Sequence, residues 1–192
     1  MTDPTPHLLW ITSRAAGTAA LLLASVGVSI GLLMGGKLVR GRGIDLRAAH
    51  ETISIATIVA IVVHAVALLG DQFLHPSVAD ITVPFVSGYK SAWTTIGILA
   101  GWSTIFLGLS FYARRWIGAR RWRSMHRFTV LAWALGVIHS LGEGTDAGQV
   151  WFLAMTAIVV VPALGLFIAR ASGFGRRSSV RTTPRSSPRP TT

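Results

Sequence analysis

The 192-residue chain has no cysteine and few charged residues. Without cysteine there can be no structural disulfides, thiolate-ligated zinc or iron–sulfur clusters, thiolate haem ligation or thiol redox chemistry. Charged residues make up only 13% of the chain and hydrophobic residues 51%, whereas soluble domains are about one quarter charged. This composition predicts a membrane protein and argues against a water-soluble globule.

Five apolar segments are long enough to cross about 30 Å of hydrocarbon, for which about 20 residues are needed. They cover roughly residues 9–34, 48–70, 92–113, 125–141 and 148–170. The fourth is the shortest and is bordered by Arg123 and Arg127, so we expect its cytoplasmic end in the headgroup layer. The N-terminus lacks the basic region of a signal peptide, so the first segment is expected to be retained. The predicted fold is an all-α membrane protein, a five-helix transmembrane bundle over residues 1–172.

The basic residues are clustered in the sequence. Sixteen of the 18 lie in the stretches 35–47, 113–127 and 170–192. Five of the seven acidic residues lie on the other side, in the N-terminal stretch and the two remaining connections. Because cytoplasmic loops carry the excess of Lys and Arg, we predict an outside N-terminus and a cytoplasmic C-terminus in the cell membrane. The net charge of +11 is thereby assigned to cytoplasmic loops, and no nucleic-acid partner is expected.

Residues 173–192 are rich in Arg, Ser, Thr and Pro and have almost no apolar content. Such a composition cannot build a core, so we predict a disordered basic cytoplasmic tail. Its arginines are expected to bind anionic lipid headgroups. Since no soluble module follows the last segment, we expect any soluble redox partner to be a separate chain.

Four histidines lie within the apolar segments, His50 and His64 in the second and His126 and His139 in the fourth. An ionisable residue is expensive in a membrane span and is therefore a candidate functional residue by default. The spacing within each pair is 14 and 13 residues, or about 20 Å of helix. Both segments run from inside to outside, so His50 matches His126 in depth near the cytoplasmic face, and His64 matches His139 near the outer face.

Two histidines at each of two depths suit two bis-imidazole sites, and haem accepts two axial imidazoles from facing helices. Zinc needs three or four ligands at each level, and the sequence offers no carboxylate or cysteine there. Arg47, Arg123 and Arg127 are candidate partners for the propionates of an inner haem. Trp133 lies between the two histidines of its segment and is either an electron relay or a packing residue.

The fourth segment has a geometric problem. At about 100° per residue, 14 residues return to within about 40° of the same helix face, whereas 13 residues miss it by about 140°. A straight helix would therefore point His126 and His139 apart. We expect a π-bulge or kink, with Gly136 as the predicted position.

The pattern His-x13-His (His50, His64) and His-x12-His (His126, His139), with one helix between, resembles the ferric reductase-like transmembrane domain over about residues 10–170. That superfamily includes NADPH oxidases, iron reductases and the haem subunit of the bacterial periplasmic methionine sulfoxide reductase system. The resemblance implies two b-type haems, an inner one on His50 and His126 and an outer one on His64 and His139. It also implies electron transfer from a cytoplasmic donor to an acceptor outside, such as ferric iron.

The chain departs from that family in two respects. Its best-known members continue into a flavin- and nicotinamide-binding domain, so here the donor would be a separate flavoprotein or a membrane quinol. Leu68 stands where superoxide-forming members have an extra histidine, which argues against oxygen reduction. Arg14 either matches the family's arginine near the outer haem, pairs with a propionate there, or extends to the headgroups.

Three other functions fit the sequence. The chain could be a quinol-linked haem subunit of an extracytoplasmic reductase, such as methionine sulfoxide reductase. It could also be a proton-coupled transporter whose membrane histidines titrate without haem, or a structural subunit of a larger complex. Bound haem separates the first of these from the other two.

Overall fold

The computed structural model describes residues 7–35 and 43–172. All regular structure in these two ranges is helical. The helices run, in chain order, α1 (Leu8–Gly35), α2 (Gly43–Leu69), α3 (Val78–Thr82), α4 (Ser91–Leu109), α5 (Arg114–Ile117), α6 (Ala119–His126), α7 (Thr129–Glu143) and α8 (Val150–Ala171). The predicted tail, residues 173–192, lies outside the described residues.

Four of the helices, α1, α2, α4 and α8, are long and apolar enough to cross a membrane. The predicted fourth segment appears as α7, which has 15 residues and is shorter than the about 20 that a perpendicular span needs. The prediction of a helical membrane protein is therefore confirmed, with four candidate spans among the described residues where five were predicted.

The outward faces of these helices are apolar. Val66 of α2 and Ile158 and Val161 of α8 expose 61%, 73% and 63% of their surface. Large contiguous apolar surfaces are rare on soluble monomers, because water disfavours them. Hydrocarbon is the solvent that suits these faces. The four candidate histidines lie between the helices instead.

Helix α1 is the centre of the bundle and packs against α2, α7 and α8, while α4 packs against α7 and α2. Trp133 of α7 is buried and donates its indole N–H to Ser25 Oγ at 2.9 Å. The Ser25 hydroxyl donates in turn to the Leu21 carbonyl at 2.8 Å. This chain of hydrogen bonds ties α7 to the middle of α1 and fixes the register of the two helices.

The bundle has two chemically different ends. The end formed by the C-termini of α1, α4 and α8 and the N-terminus of α2 carries most of the described basic residues, and we call it the basic end. The opposite end, which we call the acidic end, carries four carboxylates and two basic side chains, Asp71, Asp80, Glu143, Asp146, Arg14 and Lys90. Both ends contain one pair of the candidate histidines.

The helix break that reorients His126 lies at Arg127 and Phe128, between α6 and α7. The predicted π-bulge does not occur at Gly136, since α7 continues as an α-helix without interruption through that residue. Arg127 and Phe128 keep φ near −65° but have ψ of −24° and −8°, values closer to a tighter 3₁₀-type turn. This tight turn changes the angular position of His126 about the helix axis relative to the residues of α7. A straight helix would not make this change.

The connection between α2 and α4 covers the acidic end. Ser77 caps α3, because its hydroxyl accepts from the Asp80 N–H while the Asp80 carboxylate accepts from the Ser77 N–H and hydroxyl. These hydrogen bonds to the charged form hold the pKa of Asp80 below its ordinary value. Trp102 of α4 donates its indole N–H to the Thr82 carbonyl at 3.0 Å, which anchors the connection to the bundle.

Candidate functional site

The structure brings the four membrane histidines together as two pairs. At the basic end, His50 of α2 faces His126 of α6, with ring centroids 6.2 Å apart and planes at 87°. At the acidic end, His64 of α2 faces His139 of α7, with centroids 6.5 Å apart and planes at 69°. We call these the basic-end pair and the acidic-end pair. Each contains the two histidines that were predicted to share a depth.

Three of the four rings are oriented in the same way, by a main-chain carbonyl of a neighbouring helix. The Nδ1 atoms lie within hydrogen-bond distance of these carbonyls: His50 to Gly27 at 3.0 Å, His64 to Ser13 at 2.8 Å and His139 to Trp93 at 3.0 Å. A carbonyl can only accept, so the proton of each neutral ring lies on Nδ1. The Nε2 lone pair is therefore free to bind a metal.

This arrangement fits a metal with two axial imidazoles. Metal-bound histidines usually donate their other N–H to a carbonyl or carboxylate, which fixes the tautomer and the ring orientation. Two nitrogens at about 2.0 Å on opposite sides of one metal ion place the ring centroids about 6.3 Å apart. The two pairs, at 6.2 and 6.5 Å, lie on either side of that value.

Glycines provide the surface on which these three rings rest, and each follows the carbonyl residue by four positions. A Cβ at Gly31 would lie 3.2 Å from His50 Cε1, one at Gly17 would lie 3.0 Å from His64 Nδ1, and one at Gly97 would lie 2.5 Å from His139 Nδ1. We call a carbonyl residue and the glycine four positions later the carbonyl–glycine motif. It occurs twice in α1 and once in α4. The two copies in α1 are 14 residues apart, the same spacing that separates His50 from His64.

His126 is held differently. Its Nδ1 is buried and makes no hydrogen bond of standard geometry to a described residue, although the Leu107 carbonyl of α4 lies nearby. The ring instead stacks on Trp122 of the same helix, with centroids 5.0 Å apart and planes at 26°. Trp122 donates its indole N–H to Ser110 Oγ at 3.2 Å. The orientation of His126 therefore depends on α6 and its aromatic ring.

Glu143 shows that the expectation of no carboxylate at the histidine levels is wrong at the acidic end. It lies one helical turn after His139, and its Oε2 is 3.5 Å from His139 Nδ1. The Thr94 hydroxyl donates to Glu143 Oε1 at 2.9 Å. The i,i+4 spacing from His139 was the available signal, since residues so spaced share a helix face. Among the described residues, no carboxylate makes an equivalent contact with either histidine of the basic-end pair.

A cavity of about 250 Å³ lies beside Glu143 at the acidic end. Side chains that line it include Leu68, His75, Asp80, Tyr89, Thr94 and Glu143. Glu143 belongs both to this cavity and to the surroundings of the acidic-end pair. A small molecule in the cavity would therefore come close to that pair.

Arg14 has a partner within the chain. Its guanidinium makes a two-bond contact with the Asp146 carboxylate, of which the Nε–Oδ2 bond measures 3.1 Å. The guanidinium also lies 4.2 Å from the ring centroid of Trp10. From the sequence, Arg14 was expected to match the family's arginine near the outer haem, to pair with a propionate there, or to extend to the headgroups. Asp146 was not expected as its partner. This ion pair ties the start of α1 to the connection between α7 and α8.

Replacing Arg14 with Gln is expected to lower the stability of the detergent-solubilised protein by about 1 kcal/mol, since a two-bond, partly buried pair exceeds the usual value for surface pairs. A thermal shift measurement checks this. Arg14→Lys keeps the charge but loses the two-bond geometry of the guanidinium, so its stability should lie between those of the unaltered protein and the Gln variant. An additive effect of Arg14→Gln and Asp146→Asn in the double variant would contradict the pairing.

The remaining predicted residues are the three candidate propionate partners and Trp133. Arg47, Arg123 and Arg127 are exposed at the basic end, next to or three residues before a histidine of that pair, and none makes an ion pair with a described residue. Trp133 is buried against Ser25 of α1, so its packing role is visible and its relay role stays a prediction. Nowhere in the described ranges do three or more His, Asp or Glu side chains converge as a metal site does.

Comparison with known proteins finds no matching family model, no similar curated protein and no similar solved structure. The functional argument therefore depends on the geometry of the two histidine pairs.

Proposed function

We propose that the protein is a di-haem, b-type transmembrane electron-transfer protein. One observation carries the proposal: two pairs of facing imidazoles, each at the separation of axial ligands on one metal. The pairs are separated along α2 by 14 residues, or about 21 Å, so they lie near opposite faces of the bundle. Haem bound at both pairs would supply one-electron transfer from one face of the membrane to the other.

The chain's own residues bind and orient the cofactor. His50 and His126 would hold the haem at the basic end, and His64 and His139 would hold the haem at the acidic end. The carbonyl–glycine motifs fix three of the rings, and Trp122 fixes the fourth. At the basic end, the exposed Arg47, Arg123 and Arg127 neutralise propionates. With two histidines holding each haem, the haems would supply electron transfer rather than direct binding of substrate at iron.

In this proposal α7 is the hydrocarbon-spanning part of the fifth transmembrane segment, and α6 lies at its cytoplasmic end. α7 is apolar and packs between α1 and α4, and the tight turn at Arg127 and Phe128 leaves α6 in the headgroup layer. The basic end faces the cytoplasm and the acidic end faces outward, in accordance with the positive-inside rule. The protein is then a multi-pass protein of the cell membrane with an outside N-terminus.

The partners follow from this orientation. The donor we propose is a separate flavoprotein or a membrane quinol. The acceptor, ferric iron or a partner reductase, is reached from the acidic end. The cavity beside Glu143 gives a small acceptor a place close to the acidic-end pair.

Because the chain has no cysteine, single engineered cysteines report its orientation. In sealed cells, a membrane-impermeant maleimide should label Ser87→Cys, at the acidic end, and leave Ser124→Cys, at the basic end, unlabelled until the membrane is opened. The physical reason is the charge asymmetry between the two ends. The opposite labelling pattern would reverse the proposed direction, and labelling of both before opening would contradict the spanning arrangement.

The proposed function is tested in liposomes that contain the haem-loaded protein and enclose ferricyanide, with dithionite added outside. We expect ferricyanide to be bleached much faster than in protein-free liposomes, and His64→Leu to abolish the difference. Bleaching at the protein-free rate, with haem bound, would contradict transmembrane electron transfer. A protein that binds no haem under any loading condition would favour a proton-coupled transporter or a structural subunit.

A further inference from the structure

The segment that leads into His126 forms a separate surface at the basic end. α5 and α6 are two short helices joined at Gly118, whose φ of 87° is a backbone conformation that glycine adopts readily. Arg114, Arg115, Trp116, Arg120 and Arg121 are exposed along these helices, and we call these five residues the α5–α6 surface. Trp122 is partly buried and points back towards the bundle.

Within residues 7–35 and 43–172, the arginines of the α5–α6 surface have no acidic partners. None makes an ion pair with a described residue, and residues 111–128 contain six arginines and no Asp or Glu. The Arg115 guanidinium lies 4.1 Å from the Trp116 ring centroid, and that tryptophan exposes 73% of its surface. Basic residues alternating with exposed aromatic rings are typical of segments that lie in the lipid headgroup layer.

We infer that the α5–α6 surface binds the headgroups of anionic phospholipids, and that this contact positions His126. The charge supports the first part, because each Lys or Arg near an anionic membrane surface contributes binding. The exposed Trp116 favours lipid over an acidic soluble protein, since an indole suits the boundary between headgroups and acyl chains.

The second part rests on the proposed function and on the local geometry of α6. His126 is the last residue of α6, and its ring stacks on Trp122 of that helix. It is also the one histidine of the four without a carbonyl–glycine motif. The Leu107 carbonyl lies near its ring, but its buried Nδ1 makes no hydrogen bond of standard geometry in the described part of the chain. The orientation of His126 therefore follows the orientation of α6. A lipid that holds α6 in the headgroup layer holds His126 towards His50.

Photoactivatable phosphatidylglycerol and phosphatidylcholine, each in nanodiscs with the full chain, test the lipid contact. After illumination, mass spectrometry maps the labelled peptides. We expect phosphatidylglycerol to label residues 112–124 at least about tenfold more than phosphatidylcholine, given several arginines at the surface. Equal labelling by the two lipids would overturn the proposal and would favour an acidic protein as the partner of these arginines.

A matched pair of variants separates charge from fold. Replacing Arg114, Arg115, Arg120 and Arg121 together with Lys keeps the charge and should keep the preference for phosphatidylglycerol, whereas replacing all four with Gln should abolish it. Persistence of the preference in the Gln variant would overturn the proposal. The comparison of lipids on the unaltered chain stands even if the Gln variant does not insert.

The link to His126 is measured as haem content in a His64→Leu background, in which the basic-end pair is the only complete pair. Phosphatidylcholine in place of phosphatidylglycerol should lower its haem content several-fold, and the same exchange should have little effect in a His50→Leu background. Equal haem content in both lipids would overturn the positioning role. If neither background binds haem, the proposed function fails, while the labelling result decides the lipid contact independently.

Discussion

Replacement of His50 with Leu is expected to remove one of two haems and to leave the other in place. The basic-end pair loses a ligand, while the acidic-end pair, 14 residues away along α2, keeps both. Leucine avoids a buried polar group without a partner, so the change removes the ligand without adding a desolvation cost. His126→Leu should give the same product, and His64→Leu and His139→Leu should give the complementary one.

The two classes of variant also differ in how they respond to a donor. In membranes supplied with a cytoplasmic donor, the haem retained by His50→Leu should stay oxidised, because about 20 Å separates it from the inner face. The haem retained by His64→Leu should become reduced. Absorbance spectra distinguish these cases, and His7→Leu, an exposed histidine outside both pairs, serves as the control. Retention of two haems in all four variants would show that the histidines are not the ligands.

Gly97→Ala is expected to disrupt the acidic-end pair without touching either histidine. The added Cβ would lie 2.5 Å from His139 Nδ1 and Cε1, so the ring or the α4 backbone must move. Overpacking of this kind costs about 1 to 3 kcal/mol, or about five- to 150-fold in haem affinity at that pair. Titration of haem into the apoprotein measures the loss.

Gly101→Ala is the matched control, since it lies one turn further along α4. Its added Cβ would lie 3.6 Å from Ile61 Cγ2, an ordinary contact. Alanine also favours the helix by up to about 1 kcal/mol relative to glycine, so this control should bind haem normally and be no less stable. Equal haem affinity in the two alanine variants would contradict the role assigned to the carbonyl–glycine motif.

The pairing of the histidines follows directly from the sequence. Two parallel segments with histidines at nearly equal spacing bring His50 level with His126, and His64 level with His139. This argument needs only the rise per residue of an α-helix. The helical membrane class follows just as directly from the apolar segments and the low fraction of charge. Both inferences use one-dimensional quantities, which the sequence contains in full.

The position of the helix break does not follow from the sequence. Glycine at position 136 suggested a kink, but a helix packed tightly in a bundle tolerates glycine without breaking. The break lies at Arg127 and Phe128, where the chain leaves the basic α6 for the apolar α7. The change from basic to apolar residues at this point was the better signal for the position of the break.

The carbonyl–glycine motif could not be predicted from the sequence either. Glycines at four-residue spacing are common in membrane helices and indicate close packing in general. That Gly31 contacts His50, and Gly97 contacts His139, depends on the rotation of α1 and α4 about their axes, which hydropathy does not determine. Asp146 was missed for a similar reason, because its contact with Arg14 joins two positions 132 residues apart.

The ratio of haem to protein tests the central claim most directly. The full chain, purified from cells with ample haem, is analysed by pyridine haemochrome against the protein concentration from amino-acid analysis. Two complete imidazole pairs predict two haems of type b per chain, both removable by acid and organic solvent because no cysteine exists to hold them covalently. A ratio near one would contradict the two-site account, and a colourless protein would contradict haem binding altogether.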